Sequence, residues 1–213
     1  MIELDGSLTV ADVRAVACDD ESVTLGASAR ERMASSRAVV DSLAASDEES
    51  VYGVNTGFGN LKDIPIEREN LSRLQHNLLR SHHAATGPPM DRELTRAALL
   101  VRANALAVGV SGVGPELVDR LCTLLEEDVL PVVPAQGSAD NACELANVGL
   151  VLAGEGDALV DGERRSGDAA LDAAGLDRYE FEAKEALALV SGTSVVTAQT
   201  ALAIADLRRL ATA

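Results

Sequence analysis

The chain has 213 residues, enough to bury one substantial hydrophobic core, and this length allows one domain or two. It carries 18 Lys and Arg residues against 34 Asp and Glu, a net charge of -16, and only Lys62 and Lys184 are lysines. This charge argues against nucleic acid as a partner, because no basic patch or aromatic stripe offsets it. An acidic surplus with arginine preferred to lysine is typical of a salt-filled cytoplasm, where carboxylates stay hydrated and self-repulsion is screened.

The N-terminal residues, the length of the apolar runs and the cysteines bear on the cellular compartment. Residues 1–5, MIELD, have neither a basic segment nor an apolar core, so we expect no signal peptide. No apolar run approaches the roughly 20 residues of a membrane span, and we expect no membrane association. Cys18, Cys122 and Cys143 are widely spaced and form no C-x-x-C pair, which favours reduced thiols over disulfides or a metal site. A cytoplasmic protein is expected.

Hydrophobic periodicity and capping residues predict a mainly α fold with a few short strands. Asp91 is expected to cap one helix, and Pro115 to occupy the first position of another. Asp140 or Asn141 is expected to cap a helix that ends near residue 153, and an Asp-Gly turn predicts a short hairpin at 159–164. The remaining predicted helices cover residues 10–18, 28–45, 67–84 and from about 195 to the end of the chain.

Residues 52–59 have the sequence YGVNTGFG, which is the most informative stretch of the chain. Three glycines, an Asn and a Thr cannot build a helix or a central strand, so a loop is predicted that holds Tyr52 and Phe58 in place. A loop that fixes aromatic side chains usually serves a site.

This stretch resembles the tyrosine loop of the aromatic amino acid ammonia-lyases, of which the histidine ammonia-lyases are the nearest type. Further segments resemble the same family in the same order. They are LQHNLLRSH at 74–82, RAALLVRANALAVGVSGV at 96–113, LPVVPAQGS at 130–138, LVLAGEG at 150–156 and AKEALALVSGT at 183–193. The resemblance covers the chain from about residue 50 onward, and the first forty or so residues match loosely.

The resemblance implies that residues 1–213 form a single domain like the N-terminal domain of the family, with the central helical bundle truncated. It also assigns roles to individual residues. Tyr52 matches the base that removes a proton from the amino acid, and His82 matches a substrate-binding histidine. Ser191 stands where the family has an asparagine that binds the carbonyl oxygen of the electrophile. A structural role for Tyr52, as a hydrogen-bonded tyrosine, remains an equal alternative.

One motif departs from the family. Family members form a methylidene-imidazolone electrophile from an internal Ala-Ser-Gly, in which the Ser side chain is lost and the Gly permits the strained cyclisation. An ungapped alignment places Asn141, Ala142 and Cys143 at these positions. Alanine has no leaving group, so Ala142 cannot become the methylidene, and no cofactor is expected. A register shift would use Ala142, Cys143 and Glu144 instead, with sulfur as the leaving group.

Two functions follow from these residues. The favoured one is a truncated relative of the histidine and aromatic amino acid ammonia-lyases that cannot form the electrophile and is a pseudoenzyme or interaction protein. The alternative is an active subunit that deaminates histidine or a related aromatic amino acid together with a partner polypeptide that supplies the missing half. Partners are expected through residues 194–213, either a second copy or a lyase-like subunit. A small aromatic amino acid is a further candidate ligand.

The composition predicts a steep dependence of stability on salt. Because self-repulsion among the surplus carboxylates is screened at high ionic strength, we expect the melting temperature to rise between dilute buffer and molar potassium chloride. A gain of about 2–3 kcal/mol would raise the melting temperature by roughly 5–10 °C in a chain of this length. Calorimetry over a salt series measures the melting temperature. A melting temperature that does not change with salt would refute the interpretation that the acidic surplus suits a salt-filled cytoplasm.

Overall fold

The computed structural model describes residues 1–46, 50–136 and 142–212. Helices dominate, and the strands are short. The helices are α1 (Val10–Cys18), α2 (Ala27–Ala44), α3 (Leu71–His82), α4 (Arg92–Ala107), α5 (Pro115–Glu126), α6 (Ala142–Leu152), α7 (Gly167–Ala173), α8 (Glu185–Val190) and α9 (Ser194–Thr212). The strands are β1 (Ile2–Leu4), β2 (Val23–Leu25), β3 (Thr86–Pro89), β4 (Leu130–Pro131), β5 (Pro134–Gln136), β6 (Asp157–Val160) and β7 (Glu163–Ser166).

The strands form three small sheets at the periphery of the helices. Strands β1 and β2 pair in parallel, β3 pairs with β5 antiparallel, and β4, β6 and β7 form an antiparallel sheet in that order. The predicted hairpin is present, since Val160 pairs with Glu163 across a two-residue turn. Asp161 and Gly162 both have positive φ, 53° and 77°, as the tight turn between twisted strands requires.

Helix α4 is the centre of the core. Ten of its residues are buried, and it packs against α1, α5 and α9. Two of the buried residues are arginines, Arg96 and Arg102, which lie among Ala, Leu and Val side chains. The predicted mainly α fold with few strands is confirmed.

The predicted helix boundaries hold within a few residues, and α1 covers 10–18 as expected. Asp91 occupies the N-cap position of α4, but its side chain makes no capping hydrogen bond, so the expected cap is absent. Residues Asp140 and Asn141, the expected caps of α6, lie outside the described residues. The helix expected at 67–84 is shorter, because a separate 3-10 turn at Arg68–Asn70 precedes α3.

The helical stretch Glu185–Thr212 corrects the expectation that no apolar run reaches the length of a membrane span, because its length and composition would suffice for one. Length and composition alone do not distinguish a membrane span from a core helix. Within this stretch Val195, Ala198, Ala201 and Ala205 are buried, and α9 packs against α4 and α1. One side of α9 therefore packs into the core of the protein.

Arg96 ties three helices together at one end of the core. It is 2% exposed, and its Nε donates to the carbonyl of Val16 in α1 while Nη1 donates to the carbonyl of Leu125 in α5, at 3.0 and 2.9 Å. Its guanidinium also pairs with Asp128 at 2.8 Å and with Asp20 at 3.3 Å. The two carbonyls belong to the last turns of their helices, where backbone acceptors lack partners within the helix.

Replacing Arg96 is therefore expected to destabilise the fold. Arg96→Met keeps much of the volume but leaves the two carbonyls and the carboxylates without their donor, and we expect a loss of about 2–4 kcal/mol in the free energy of unfolding. The control is Arg164→Met, which removes an exposed pair with Asp157 and should cost less than about 1 kcal/mol. Urea unfolding at constant salt compares the two, and equal effects would contradict the role given to Arg96.

Candidate active site

The loop at residues 52–59 is held by its own backbone and by α8. The amide of Gly57 donates to the carbonyl of Ile64 at 3.0 Å, and the buried Thr56 accepts from the amide of Gly53 at 3.2 Å. Gly53 has a φ of 74°, a conformation that favours glycine, and a Cβ there would force the end of the Leu187 side chain of α8 to move.

The two rings of the loop take different positions. Tyr52 is 54% exposed, whereas Phe58 is half-buried against the core, and the rings meet edge to face with centroids 6.5 Å apart. The predicted loop that positions Tyr52 and Phe58 is therefore present. The phenol of Tyr52 is left facing an open cavity.

His82 reaches the same cavity from the last turn of α3. Its Nδ1 lies 2.9 Å from the carbonyl oxygen of Leu78, and the hydroxyl of Ser81 is 3.0 Å from the same nitrogen. A carbonyl oxygen only accepts, so we assign the proton of the neutral ring to Nδ1. Nε2 is then the acceptor that His82 can offer to a ligand.

Helix α6 brings the degenerate motif to the cavity. Ala142, the first residue of α6, lines the cavity, whereas Cys143 is half-buried and does not. Asn141 lies outside the described residues. The side-chain amide of Asn147 donates to the carbonyl of Cys143 at 2.7 Å, within the first turns of the helix.

These residues do not fit the methylidene-imidazolone of the lyase family. The methyl group of Ala142 has no leaving group. The register-shifted alternative also fits poorly. It would need a bond between the nitrogen of Glu144 and the carbonyl carbon of Ala142, but both residues lie in α6, and helical geometry keeps these two atoms at a non-bonded distance. Glu144, the third residue of that alternative, is 9% exposed, and its Oε2 has no hydrogen-bond partner among the described residues.

Helix α8 and the turn that follows form another wall. The carboxylate of Glu185 anchors α8 by accepting from the amides of Gly114 and Glu182, at 3.0 and 3.1 Å, and from the hydroxyl of Tyr179. Burial raises the pKa of Glu185, and burial beside this carboxyl raises the pKa of Tyr179. From α3, the buried Gln75 accepts from the amide of Leu187 at 3.2 Å.

These segments enclose one cavity of about 550 Å³, which we call the Tyr52 pocket. Its walls are largely apolar, with a few hydroxyl and imidazole groups. It is lined by Tyr52, Phe58, Gly59, Leu78, His82, Ala142, Leu187, Val190, Ser191, Gly192 and Thr193.

The structure thus brings four of the residues singled out from the sequence, Tyr52, His82, Ala142 and Ser191, to one pocket, although they are up to 139 positions apart in the chain. Sequence reasoning missed Leu187, Val190 and Thr193 as pocket residues. All three lie in the segment AKEALALVSGT, and the resemblance of this segment to the family could have identified them as pocket residues.

Another cavity, of about 350 Å³, is lined by Arg92, Arg96, Asp20 and Asp128 among others. These four side chains pair with one another, so they are already satisfied without a ligand. Within the described ranges, no three His, Cys, Asp or Glu side chains are grouped so as to hold a metal ion. The Tyr52 pocket is the better candidate for a functional site.

Comparison with known proteins gives the same family as the motifs. The family model described as "Aromatic amino acid lyase" matches residues 8–213. The histidine ammonia-lyase of Geobacillus thermodenitrificans is 42% identical over 215 residues, which cover 99% of this chain and 42% of that protein. The probable histidine ammonia-lyase of Halobacterium salinarum is 45% identical, covering 98% of this chain and 40% of its own length.

Solved structures agree. The histidine ammonia-lyase of Trypanosoma cruzi superposes with a TM-score of 0.92 at 33% identity, over 99% of this chain and 41% of that one. The phenylalanine aminomutase of Pantoea agglomerans also gives a TM-score of 0.92, at 30% identity, over 98% and 40%. The chain spans about two fifths of the length of the relatives it matches. With a family match across nearly its whole length, this chain belongs to the aromatic amino acid lyase family.

Proposed function

We propose that this chain is an ammonia-lyase-like pseudoenzyme of the cytoplasm, which keeps the Tyr52 pocket but cannot form the electrophile on which ammonia elimination depends. The observation that carries the proposal is Ala142 at the pocket wall, where a serine would be needed. A methyl group offers nothing to eliminate. The proposal therefore rests on the chemistry of one side chain and on its position.

The substitution at Ser191 supports the same proposal. Ser191 lines the pocket and stands where the family has an asparagine that binds the electrophile. A serine hydroxyl is shorter than an asparagine amide and cannot reach as far. A chain that does not form the ring has no need of the asparagine that binds it, so the substitutions at residues 142 and 191 are consistent with each other.

Tyr52 and His82 support the alternative function, an active lyase subunit that works with a partner polypeptide. Both residues line the pocket, and Nε2 of His82 is an acceptor when Nδ1 carries the proton. A working site would still need an electrophile, which leaves Cys143 as the residue that could supply one. The two functions predict different masses for the purified chain, because forming the electrophile removes atoms from it.

Intact-mass spectrometry and an activity assay test the choice. We expect the purified chain to have its full unmodified mass and to release neither urocanate from histidine nor cinnamate from phenylalanine, because Ala142 has no leaving group. Loss of water together with hydrogen sulfide would show that Cys143 had formed the ring.

The control is the same chain with Asn141→Ala, Ala142→Ser and Cys143→Gly, which restores the family motif. A loss of water in that variant would show that the local backbone still permits cyclisation. Turnover by the unaltered chain that disappears in Cys143→Ala would overturn the pseudoenzyme proposal in favour of the alternative.

We also propose that the chain associates with a second copy through α9, with a lyase-like partner as the alternative. Two of the large apolar residues of α9 are not available for this contact, because Val195 is 6% exposed and Leu202 packs against the core. The exposed apolar residues of α9 are Val196, Ile204, Leu207 and Leu210.

These four residues share one side of the helix. At 100° per residue they fall within an arc of about 120°, opposite the buried Ala198, Ala201 and Ala205. An exposed apolar stripe of this length is typical of an interaction surface. Because the opposite face is part of the core, deleting α9 would damage the fold, and point substitutions are the better test.

We expect light scattering at micromolar protein and molar potassium chloride to give a mass above that of a monomer. Leu207→Glu with Leu210→Glu should return it to the monomer, because two carboxylates would be desolvated in the interface. The matched control is Val39→Glu with Val110→Glu, which adds the same charge at exposed apolar positions elsewhere. A monomer for the unaltered chain rules out self-association.

A further inference from the structure

The residue that precedes α8 has an unusual backbone conformation. Lys184 has a φ of 71° and a ψ of -12°, which is the left-handed region. The other described non-glycine residues with positive φ are all aspartates, Asp20, Asp128 and Asp161. A short polar side chain tolerates this region better than a long one. The structure around Lys184 must therefore hold it in place.

Hydrogen bonds on both sides fix this conformation. The carbonyl of Ala183 accepts from Nη1 of Arg37 at 2.8 Å, and the carboxylate of Glu185 is held by two backbone amides. With the backbone held before and after Lys184, its Nζ donates to the carbonyl of Ser111, in the turn between α4 and α5. The amine therefore has a defined position in the folded chain.

A second cation lies beside this amine. Nη1 of Arg37 donates at 3.2 Å to the carbonyl of Gly112, the residue after Ser111, so two neighbouring carbonyls receive one donor from each cation. Arg37 is buried and Lys184 is half-buried. Burial and then the charge of Arg37 lower the pKa of Lys184. More of this amine is therefore neutral than is usual for a lysine.

These surroundings favour acylation of the amine. Only the neutral amine is a nucleophile, so a lowered pKa raises its reactive fraction. The product is an uncharged amide, and forming it removes both the half-buried cation and its repulsion with Arg37. The N–H that remains on Nζ can still donate to the carbonyl of Ser111. Both the reactivity of Lys184 and the fit of its product therefore point in the same direction.

We propose that Lys184 is a site of selective acylation by small acyl phosphates. The lone pair of Nζ attacks the acyl carbonyl carbon and a C–N bond forms. The C–O bond to phosphate breaks, phosphate leaves with the bonding electrons, and the nitrogen releases its proton to solvent. The inference goes beyond the proposed function and does not depend on it, because Lys184 does not line the Tyr52 pocket.

The chain contains its own reference amine. Lys62 is the other lysine, and it is exposed in the loop that follows the Tyr52 segment. Cleavage at arginine gives peptides 38–68 and 179–208, each with a single lysine. The unaltered full chain is treated with dilute acetyl phosphate at a fixed concentration of potassium chloride. Mass spectrometry of the two peptides then gives the rate of acetylation at each lysine.

At about pH 8 we expect Lys184 to be acetylated roughly five-fold or more faster than Lys62, because more of its amine is neutral. A lowered pKa means that deprotonation is complete at a lower pH, so the rate at Lys184 should level off first and the ratio of the two rates should shrink as pH rises. In urea, which removes the burial and the fixed neighbour, the two rates should become similar.

Glu182→Gln tests the contribution of Arg37. Glu182 is an exposed carboxylate that pairs with Arg37 at 3.3 Å, and without it the charge of Arg37 acts more strongly on Lys184. We expect the ratio of rates to rise by about two-fold. The matched control is Glu180→Gln, which removes an exposed carboxylate of the same segment that lies 3.8 Å from His76 instead. Its ratio should be unchanged.

A rate at Lys184 equal to or below that at Lys62 in the folded chain would overturn the proposal. A ratio that persists in urea would do the same, since it would then come from the local sequence and not from the fold. A ratio in Glu182→Gln that does not exceed that in Glu180→Gln would also contradict it. Acetylation adds mass, whereas forming the electrophile removes it, so this test and that of the proposed function stay distinct.

Discussion

The structure depends on helix α4 and on the arginines that donate hydrogen bonds to the C-terminal carbonyls of the helices around it. Arg96 donates to carbonyls in the last turns of α1 and α5, and Arg102 donates to one in α8. The last turn of α4 is itself capped by Arg32 of α2, which donates to the carbonyls of Ala107 and Val108. Helix C-termini carry unpaired acceptors and partial negative charge, and a guanidinium with five donors can serve several of them at once.

This use of arginine gives the unusual composition a structural meaning. A lysine has one ammonium group on a flexible stem, and it could not bridge Val16, Leu125 and Asp128 as Arg96 does. Arg37 acts similarly from α2, with Nη1 donating to the carbonyls of Gly112 and Ala183. The preference for arginine over lysine therefore serves the interior as well as a charged surface.

The same helix connects the core to the pocket. Arg102 lies between α8 and the turn at residues 191–193, so the pocket wall is built directly on the buried face of α4. On another side, Gly53 allows the Tyr52 loop to approach Leu187 of α8. Since α8 is held by Glu185 and Gln75 as well, the pocket has a rigid wall even though the electrophile motif beside it is degenerate.

The sequence by itself determined the family, the mainly α fold, most helix positions and the chemical deficit at Ala142, because each depends on local pattern or on the atoms of one side chain. The exposed side of α9 was not predictable, since its many alanines fit either face and only packing against α4 and α1 selects one. Nor was the setting of Arg102, which has no counterion among the described residues, because this depends on which distant segments surround it. Pairing and burial are properties of the assembled chain, so only the tertiary structure decided them.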